Sequence, residues 1–300
     1  MMQVIFQTDP RDFLGRCGAH LEQNEAEHSL ILSLCQDALQ KQRQGRRPDI
    51  FFSSLFDNDE FVVAAVQTPA RNLVLSKSGQ PEIEKLAEIL ACRNRRFPGI
   101  VGPSDVASGF ASKWTQITGQ KPVEYVNQIV YTLKEVLLPP LAEGGFRLAG
   151  PEDTGAVAAW ISSFAREALP KADQVSGENA FKKADDLVRE GRAAVWVVKG
   201  APVSMATVSG TDSVARLGGV YTPPEWRGRG YAGATVAHLS HLQLDRGKKM
   251  CCLYADARNP ASNSIYRKIG YEFVGRSSLY VLESESLKEG FIEDARREAA

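Results

Sequence analysis

Three hundred residues with 43% apolar and 24% charged composition describe an ordinary folded globular chain, and the length suggests two domains of about 150 residues each. Lys plus Arg and Asp plus Glu stand at 36 apiece, so no net charge draws the chain toward nucleic acid or an anionic membrane, and neither is expected as a partner. No apolar run approaches the roughly 18 residues of a membrane span, and Met1–Arg16 lacks an apolar core of signal-peptide length, which leads to the expectation of a cytoplasmic protein. The five cysteines include no Cys-x-x-Cys pair and no histidine at zinc-finger spacing, so no metal is expected. Cys251 and Cys252 fall in the apolar run Met250–Tyr254 and read as buried strand residues.

In chain order, residues 20–42 carry apolar groups at helical spacing, with Leu30, Leu34 and Ala38 beside Ile31 and Cys35, and predict one amphipathic helix. The basic tail Lys41–Arg47 has no interleaved aromatics and reads as a solvated helix end. Ile50–Phe56 and Phe61–Thr68 predict two strands across a turn at Asp57-Asn58-Asp59, and Asn72–Ser76 predicts a third. Glu82–Cys92 has a helical period, Gly99–Val101 reads as a short strand, Ser104–Thr118 as a helix and Val123–Leu133 as a strand. Pro139-Pro140 and Gly144-Gly145 mark a linker.

The second half repeats this order. Phe146–Ala149 predicts a strand, Asp153–Leu169 a helix opened by an acidic cap, and Asn179–Glu190 a helix closed by Gly191. Ala193–Val198, Val203–Ser209 and Val214–Tyr221 predict three strands. A helix then runs from about Gly230 to Arg246, burying Val236, Leu239 and Leu242; Lys249–Ala255 is the next strand. Pro260–Ile269 is a helix, and Tyr271–Val274 and Ser278–Leu282 are two further strands. Glu283–Ala300 is charged and reads as a terminal helix or tail. The halves look like copies: Val66-Gln67-Thr68-Pro69 matches Val220-Tyr221-Thr222-Pro223 at an offset of 154, and helices ending at Gly119 and Gly270 match at 151. After Pro69 the first copy has no glycine turn, and Thr115 stands where Tyr266 would align, so only the second copy is expected to hold a ligand in this manner.

The most informative stretch is Leu217–Ala234. Val220 and Tyr221 end a strand, Pro223 and Pro224 stop it, and Gly228 and Gly230 precede a helix. Glycines at such a turn allow backbone angles closed to other residues, and the helix start offers unpaired N–H groups under a positive dipole end. Arg227 and Arg229 add two positive charges, so the loop reads as a phosphate or pyrophosphate site. Gly228-Arg229-Gly230-Tyr231-Ala232-Gly233 also satisfies the Gly-x-Gly-x-x-Gly spacing of an NAD-binding fold, with Asp256 near the place of a ribose-binding acid. That fold needs its first glycine directly off the strand, whereas Thr222–Arg227 intervene here.

Arg227-Gly228-Arg229-Gly230-Tyr231-Ala232 resembles the Arg/Gln-x-x-Gly-x-Gly/Ala motif of the GNAT (GCN5-related) N-acetyltransferases, whose loop wraps the pyrophosphate of acetyl-CoA. Asn259-Pro260 through Tyr266 to Gly270-Tyr271 is similar to that family's later motif. The resemblance covers roughly residues 145–283. It implies a tandem α/β (α+β) chain of two GNAT-like domains, each a mixed, mostly antiparallel central sheet flanked by helices. The expected division is a degenerate N-terminal domain at 1–140, a catalytic domain at 145–283 and a charged tail at 284–300.

The resemblance also implies roles. Main-chain groups of Val220, Tyr221 and Thr222 would line the pantetheine arm, Arg227 to Ala232 would hold the pyrophosphate, and Asn259 would contact the cofactor. Tyr266 would return a proton to the departing thiolate. The family often places a Glu on the strand before the loop, but Val214-Ala215-Arg216-Leu217 offers none; Glu225 and Asp256 are the nearest acids, and either could act as base through a water. Trp160, Phe164 and Glu167 share one helical face and are candidates for the acceptor pocket. His238 and His241 read as structural. The expected activity is transfer of an acyl group from acetyl-CoA or a close acyl-CoA to an amine of a small molecule or peptide, with oligomeric state open. The alternatives are a non-catalytic acyl-CoA sensor and an NAD-binding oxidoreductase.

Overall fold

The computed structural model describes residues 2–139, 142–168 and 174–282. The described chain divides into two compact units, one formed by residues 2–128 with 275–282, the other by Ile129–Val274. The tail expected from 283 on lies outside the described residues.

The first unit opens with β1 (Met2–Gln7), then α1 (Pro10–Glu22) and α2 (Ser29–Arg43). Sequence periodicity predicts one helix over 20–42, and the structure instead has two. Asp9 starts α1, its carboxylate accepting the Arg11 N–H at 2.8 Å, with Pro10 in the first turn. The break between the helices is held by His28, only 1% exposed, whose Nδ1 donates to the Leu21 carbonyl at 2.9 Å while Nε2 accepts the Lys77 N–H at 2.9 Å. A neutral imidazole satisfies both partners, and burial pushes its pKa down to about 4.

There follow β2 (Phe51–Asp57), β3 (Glu60–Gln67), β4 (Leu73–Leu75), α3 (Gln80–Cys92), β5 (Gly99–Pro103) and α4 (Ser104–Thr118). Strands β1 to β4 pair antiparallel in order, and β4 pairs parallel with β5. Alternation along β3 sets the two faces: Val63 and Ala65 join α3 and α4 in one core, Ala64 and Val66 join α1 and α2 in the other. The last strand of this unit's sheet comes from the far end of the chain. Ser277–Val281 of β12 (Glu272–Leu282) pairs antiparallel with Gly99–Pro103. The sequence predicts two strands over 271–282; the structure has one, continuous through Gly275.

The second unit repeats the pattern with β7 (Gly145–Leu148), α5 (Thr154–Ala168), α6 (Gly177–Arg189), β8 (Ala193–Val198), β9 (Ala201–Gly210), β10 (Val214–Tyr221), α7 (Tyr231–Asp245), β11 (Met250–Asp256) and α8 (Pro260–Ile269). Strands β7 to β10 pair antiparallel, and β10 pairs parallel with β11. Beside β11 lies β6 (Pro122–Leu133), a strand that belongs by sequence to the first copy and whose residues from Ile129 on fall in this unit. Each sheet is thus finished by a strand from the other repeat. On one face Ala215, Leu217, Val236, Leu239, Cys251 and Leu253 pack with Tyr131 and α8; on the other, Val157, Ile161, Ala184, Val195 and Met205 pack under α5 and α6. Burial of each larger aliphatic side chain contributes about 2 kcal/mol. Cys251 and Cys252 are both fully buried, and burial pushes the Cys251 thiol up to about 12.

Candidate functional site

The site is built where β10 breaks its pairing. Gly218 faces Thr207 on β9, but Tyr221 faces Met205, so three steps on β10 match two on β9. The bulge centres on Gly219, at φ +56°, where a Cβ would come within 2.9 Å of the Thr207 hydroxyl. On the other side, β10 pairs with β11 only from Val214–Met250 to Leu217–Leu253. The parallel ladder ends there, and the main chain of Val220, Tyr221 and Thr222 continues without a β11 partner strand.

A single 3-10 turn at Pro224–Trp226 then carries the chain to the glycines, with the Trp226 N–H donating to the Pro223 carbonyl at 2.9 Å. Gly228 at φ +78° and Gly230 at φ +82° both occupy the left-handed region. A Cβ at either position would meet nothing within 4 Å, so the fold demands the backbone angle and leaves the outer side open. The first backward bond of α7 runs from the Ala234 N–H to the Gly230 carbonyl at 3.0 Å, which leaves the N–H groups of Tyr231, Ala232 and Gly233 outside the helix's own ladder. The Tyr231 side chain is buried, 6.2 Å from the Trp226 ring. Two left-handed glycines ahead of a helix start are the local geometry that the sequence predicts for this loop.

The two arginines are held back along the loop. Arg227 Nε donates to the Thr222 carbonyl at 2.9 Å and its Nη2 to Glu167 at 2.8 Å. The Arg229 guanidinium lies 5.0 Å over the Trp226 ring and donates to the Glu225 carbonyl at 3.3 Å.

On α8, Tyr266 is 8% exposed, and burial pushes its phenol up to about 12 against the opposing effect of the Ser262 hydroxyl. Its ring lies 6.3 Å from Tyr131 and 6.1 Å from Tyr271. Behind it, Tyr131 donates to Asn263 at 3.0 Å, and the Asn263 amide donates to the Asp256 and Asn259 carbonyls at 2.8 and 2.7 Å. These bonds pin the start of α8 to the end of β11. Asn259 caps α8, its side-chain oxygen accepting the Ser262 N–H at 3.0 Å. The Asp256 carboxylate is engaged by Arg258, through the backbone N–H at 2.8 Å and Nη2 at 3.2 Å. Glu225 lies exposed on the loop.

The structure brings Glu167 of α5 to the loop: besides Arg227, it accepts the Tyr221 hydroxyl at 3.0 Å. Trp160 and Phe164, on the same helix, pack partly buried against the α5–α6 core that also contains Tyr221. His238 bonds the Ala234 carbonyl at 2.9 Å and stacks on Phe146, and His241 pairs with Asp245 at 3.3 Å.

Two residues here have no counterpart in the sequence reading. Buried Ser204 donates to the Tyr221 carbonyl at 3.3 Å and accepts the Thr222 hydroxyl at 2.9 Å, fixing the strand end where the bulge closes. Arg216, a charged residue in the middle of an otherwise apolar strand, was the visible signal for the other; its guanidinium lies 4.9 Å over the Tyr254 ring. Among the described residues, no group of three or more His, Cys, Asp or Glu side chains could hold a metal ion, and no helix is long and apolar enough to cross a membrane.

A family model described as FR47-like protein matches residues 195–281, a span that includes the bulge, the glycine loop and α8. No curated protein matches the chain by sequence. Solved structures match over nearly the whole length. An acetyltransferase of the GNAT family from Colwellia psychrerythraea is 13% identical, with 95% of this chain and 100% of that one covered and a TM-score of 0.54. A GCN5-related N-acetyltransferase from Sphaerobacter thermophilus is 17% identical, with 92% and 94% covered and a TM-score of 0.59. A tandem GNAT protein from the clavulanic acid biosynthesis pathway is 12% identical, with 93% and 98% covered and a TM-score of 0.51. At these identities the likeness is one of fold: the chain has the tandem GNAT architecture, two mixed α/β halves.

Proposed function

We propose that the chain is an N-acyltransferase whose second half takes acetyl-CoA, or a close acyl-CoA, and passes the acyl group to an amine of a small molecule or peptide in the cytoplasm. The observation that carries this reading is the conjunction of the bulge at Gly219, the end of the β10–β11 ladder at Leu217, and a left-handed glycine pair opening α7. The open space outside Gly228 and Gly230 suits a diphosphate against the main chain, with Arg227 and Arg229 beside Gly228 in the chain. Bound there, the thioester would supply an activated acyl carbon.

The chain's own groups then do the rest. The main chain of Val220, Tyr221 and Thr222 would line the pantetheine arm and offer an N–H to the thioester oxygen. Tyr266, kept neutral by burial, would hold the proton that the departing sulfur needs. Asn259 at the head of α8 would touch the cofactor. Glu225 or Asp256 would draw the proton from the amine through a water, and the face of α5 with Trp160, Phe164 and Glu167 would border the acceptor. The first half, residues 1–140 in the sequence division, serves as structural partner.

Thiol release from acetyl-CoA, followed over a panel of amines, tests the proposal. Turnover of at least one amine with acetyl-CoA, together with CoA binding and no NAD binding, is the expected result; absence of CoA binding sinks it. One observation favours a second reading, an acyl-CoA sensor without turnover: Asp256 is tied to Arg258, and Glu225 stands exposed. Tight acetyl-CoA binding with no thiol release over the whole panel would establish that reading instead.

A further inference from the structure

This inference deepens the acyl-transfer reading and rests on it. Along β10, Ala215 and Leu217 point into the core under α7 and α8, so Arg216 lies on the opposite face. Its cross-strand neighbours are Ser209 on β9 and Cys252 on β11. Tyr254, two residues on from Cys252, shares that face, and its ring receives the guanidinium at 4.9 Å. Met205, which lies under α5 and α6, marks it as the face those helices cover.

Of the arginines near the site, Arg147 has Asp153, Arg227 has Glu167, and Arg258 has Asp256. Among the described residues no carboxylate pairs with Arg216, Arg229 or Arg267; Arg229 and Arg267 donate to the Glu225 and Asn263 carbonyls, whereas the Arg216 Nε is buried without a hydrogen-bond partner. A buried guanidinium nitrogen left unpaired is costly, whereas a planar fork backed by an aromatic ring is prepared for a carboxylate. Nothing on β10 except Arg216 is charged. A strand rises about 3.3 Å per residue, so Gly218, where the β11 ladder has ended, starts about 7 Å away, within reach of one arginine side chain plus a small amino acid.

We propose that Arg216 binds the carboxylate of the acceptor, so that the acceptor is an amino acid or another amine carrying a carboxylate. The ammonium loses its first proton to solvent. The neutral nitrogen attacks the acyl carbon, the C–N bond forms and the C–S bond breaks. The nitrogen gives up its second proton to the carboxylate base, and the thiolate takes one from Tyr266, which is recharged from water. The products are an N-acyl amino acid and the free CoA thiol.

The test is thiol release from acetyl-CoA over the protein amino acids, each beside its own carboxamide, which keeps the amine and removes the charge. The expected result is a preference of about 10- to 100-fold in kcat/KM for at least one acid over its amide. Arg216→Gln should abolish that preference through the KM of the acid while leaving the KM of acetyl-CoA unchanged, and Arg216→Lys should restore part of it. Equal use of acids and amides by the parent protein overturns the proposal, and that comparison decides even if Arg216→Gln does not fold. If no amine is acylated, ligand-detected NMR with the CoA-bound parent separates the two ideas. Binding of acids but not amides keeps the Arg216 site and rejects acyl transfer; binding of neither rejects the site.

Discussion

The Arg227 guanidinium lies 2.8 Å from the Glu167 carboxylate, and the same carboxylate takes the Tyr221 hydroxyl at 3.0 Å. One acid on α5 therefore holds both the end of β10 and the first charge of the glycine loop. Both side chains of the pair are 49% exposed, so the pair itself is weak, worth under about 1 kcal/mol. A diphosphate bound as proposed on the α7 N-terminus would compete with Glu167 for Arg227. Glu167→Gln should therefore tighten CoA binding about two- to fivefold at low salt, and Arg227→Ala should weaken it. Calorimetric titration with CoA checks this; weaker binding by Glu167→Gln would mean that the carboxylate orders the loop rather than restraining the arginine.

Tyr266→Phe should lower turnover by about 100-fold or more while changing acetyl-CoA affinity little, because the task proposed for the phenol is proton donation and its ring packing is kept. The phenol's pKa is pushed above its ordinary value to about 12, so it stays protonated through pH 10. The parent's pH–rate profile should then show no alkaline fall below that pH attributable to Tyr266, and the Tyr266→Phe profile should keep the same shape at a lower plateau. A variant as active as the parent across the range would remove the acid role.

His28 gives the first unit a pH dependence of its own. Its folded pKa, about 4, lies below the ordinary 6.5, so the unfolded chain takes up the proton first as pH falls. The stability that the neutral ring contributes is present above pH 6.5 and is lost between there and about pH 4, amounting to about 3 kcal/mol. Urea unfolding at pH 7, 5.5 and 4 should show this loss, and it should shrink in His28→Gln; an equal loss in both would assign it to other groups.

The strands and helices around the loop were legible because their signals are local. Proline stops at 223 and 224, glycines at 228 and 230 and the Asn259 cap each act over a few residues, and the elements follow them closely. The N-terminus was harder. Asp9 and Pro10 signal a helix start, but Gly15 and Gly18 weaken the pattern inside α1, and the turn before α2 is set by His28 reaching Lys77, a partner 49 residues away. The exchange of β6 and β12 leaves no local trace at all. Both strands have the same apolar character in either pairing, so only the register of Ser277–Val281 against Gly99–Pro103 reveals it. The placement of Glu167 on Tyr221 and Arg227 depends likewise on how α5 packs on the bulged end of β10.

Gly230 offers a test that separates binding from folding. Its φ of +82° makes an alanine strained, by about 1 kcal/mol, yet the added methyl would meet nothing within 4 Å in the protein. It would stand in the open space at Gly230, the residue before α7, where the diphosphate is proposed to sit. Gly247 follows the other end of the same helix at φ +89°, also with nothing within 4 Å, so Gly247→Ala carries the same strain without the obstruction. Both variants should lose a few degrees of melting temperature. Only Gly230→Ala should lose CoA affinity, by roughly tenfold or more, since a methyl there blocks close approach to the main chain. Equal affinity in the two variants would place the diphosphate somewhere other than the start of α7.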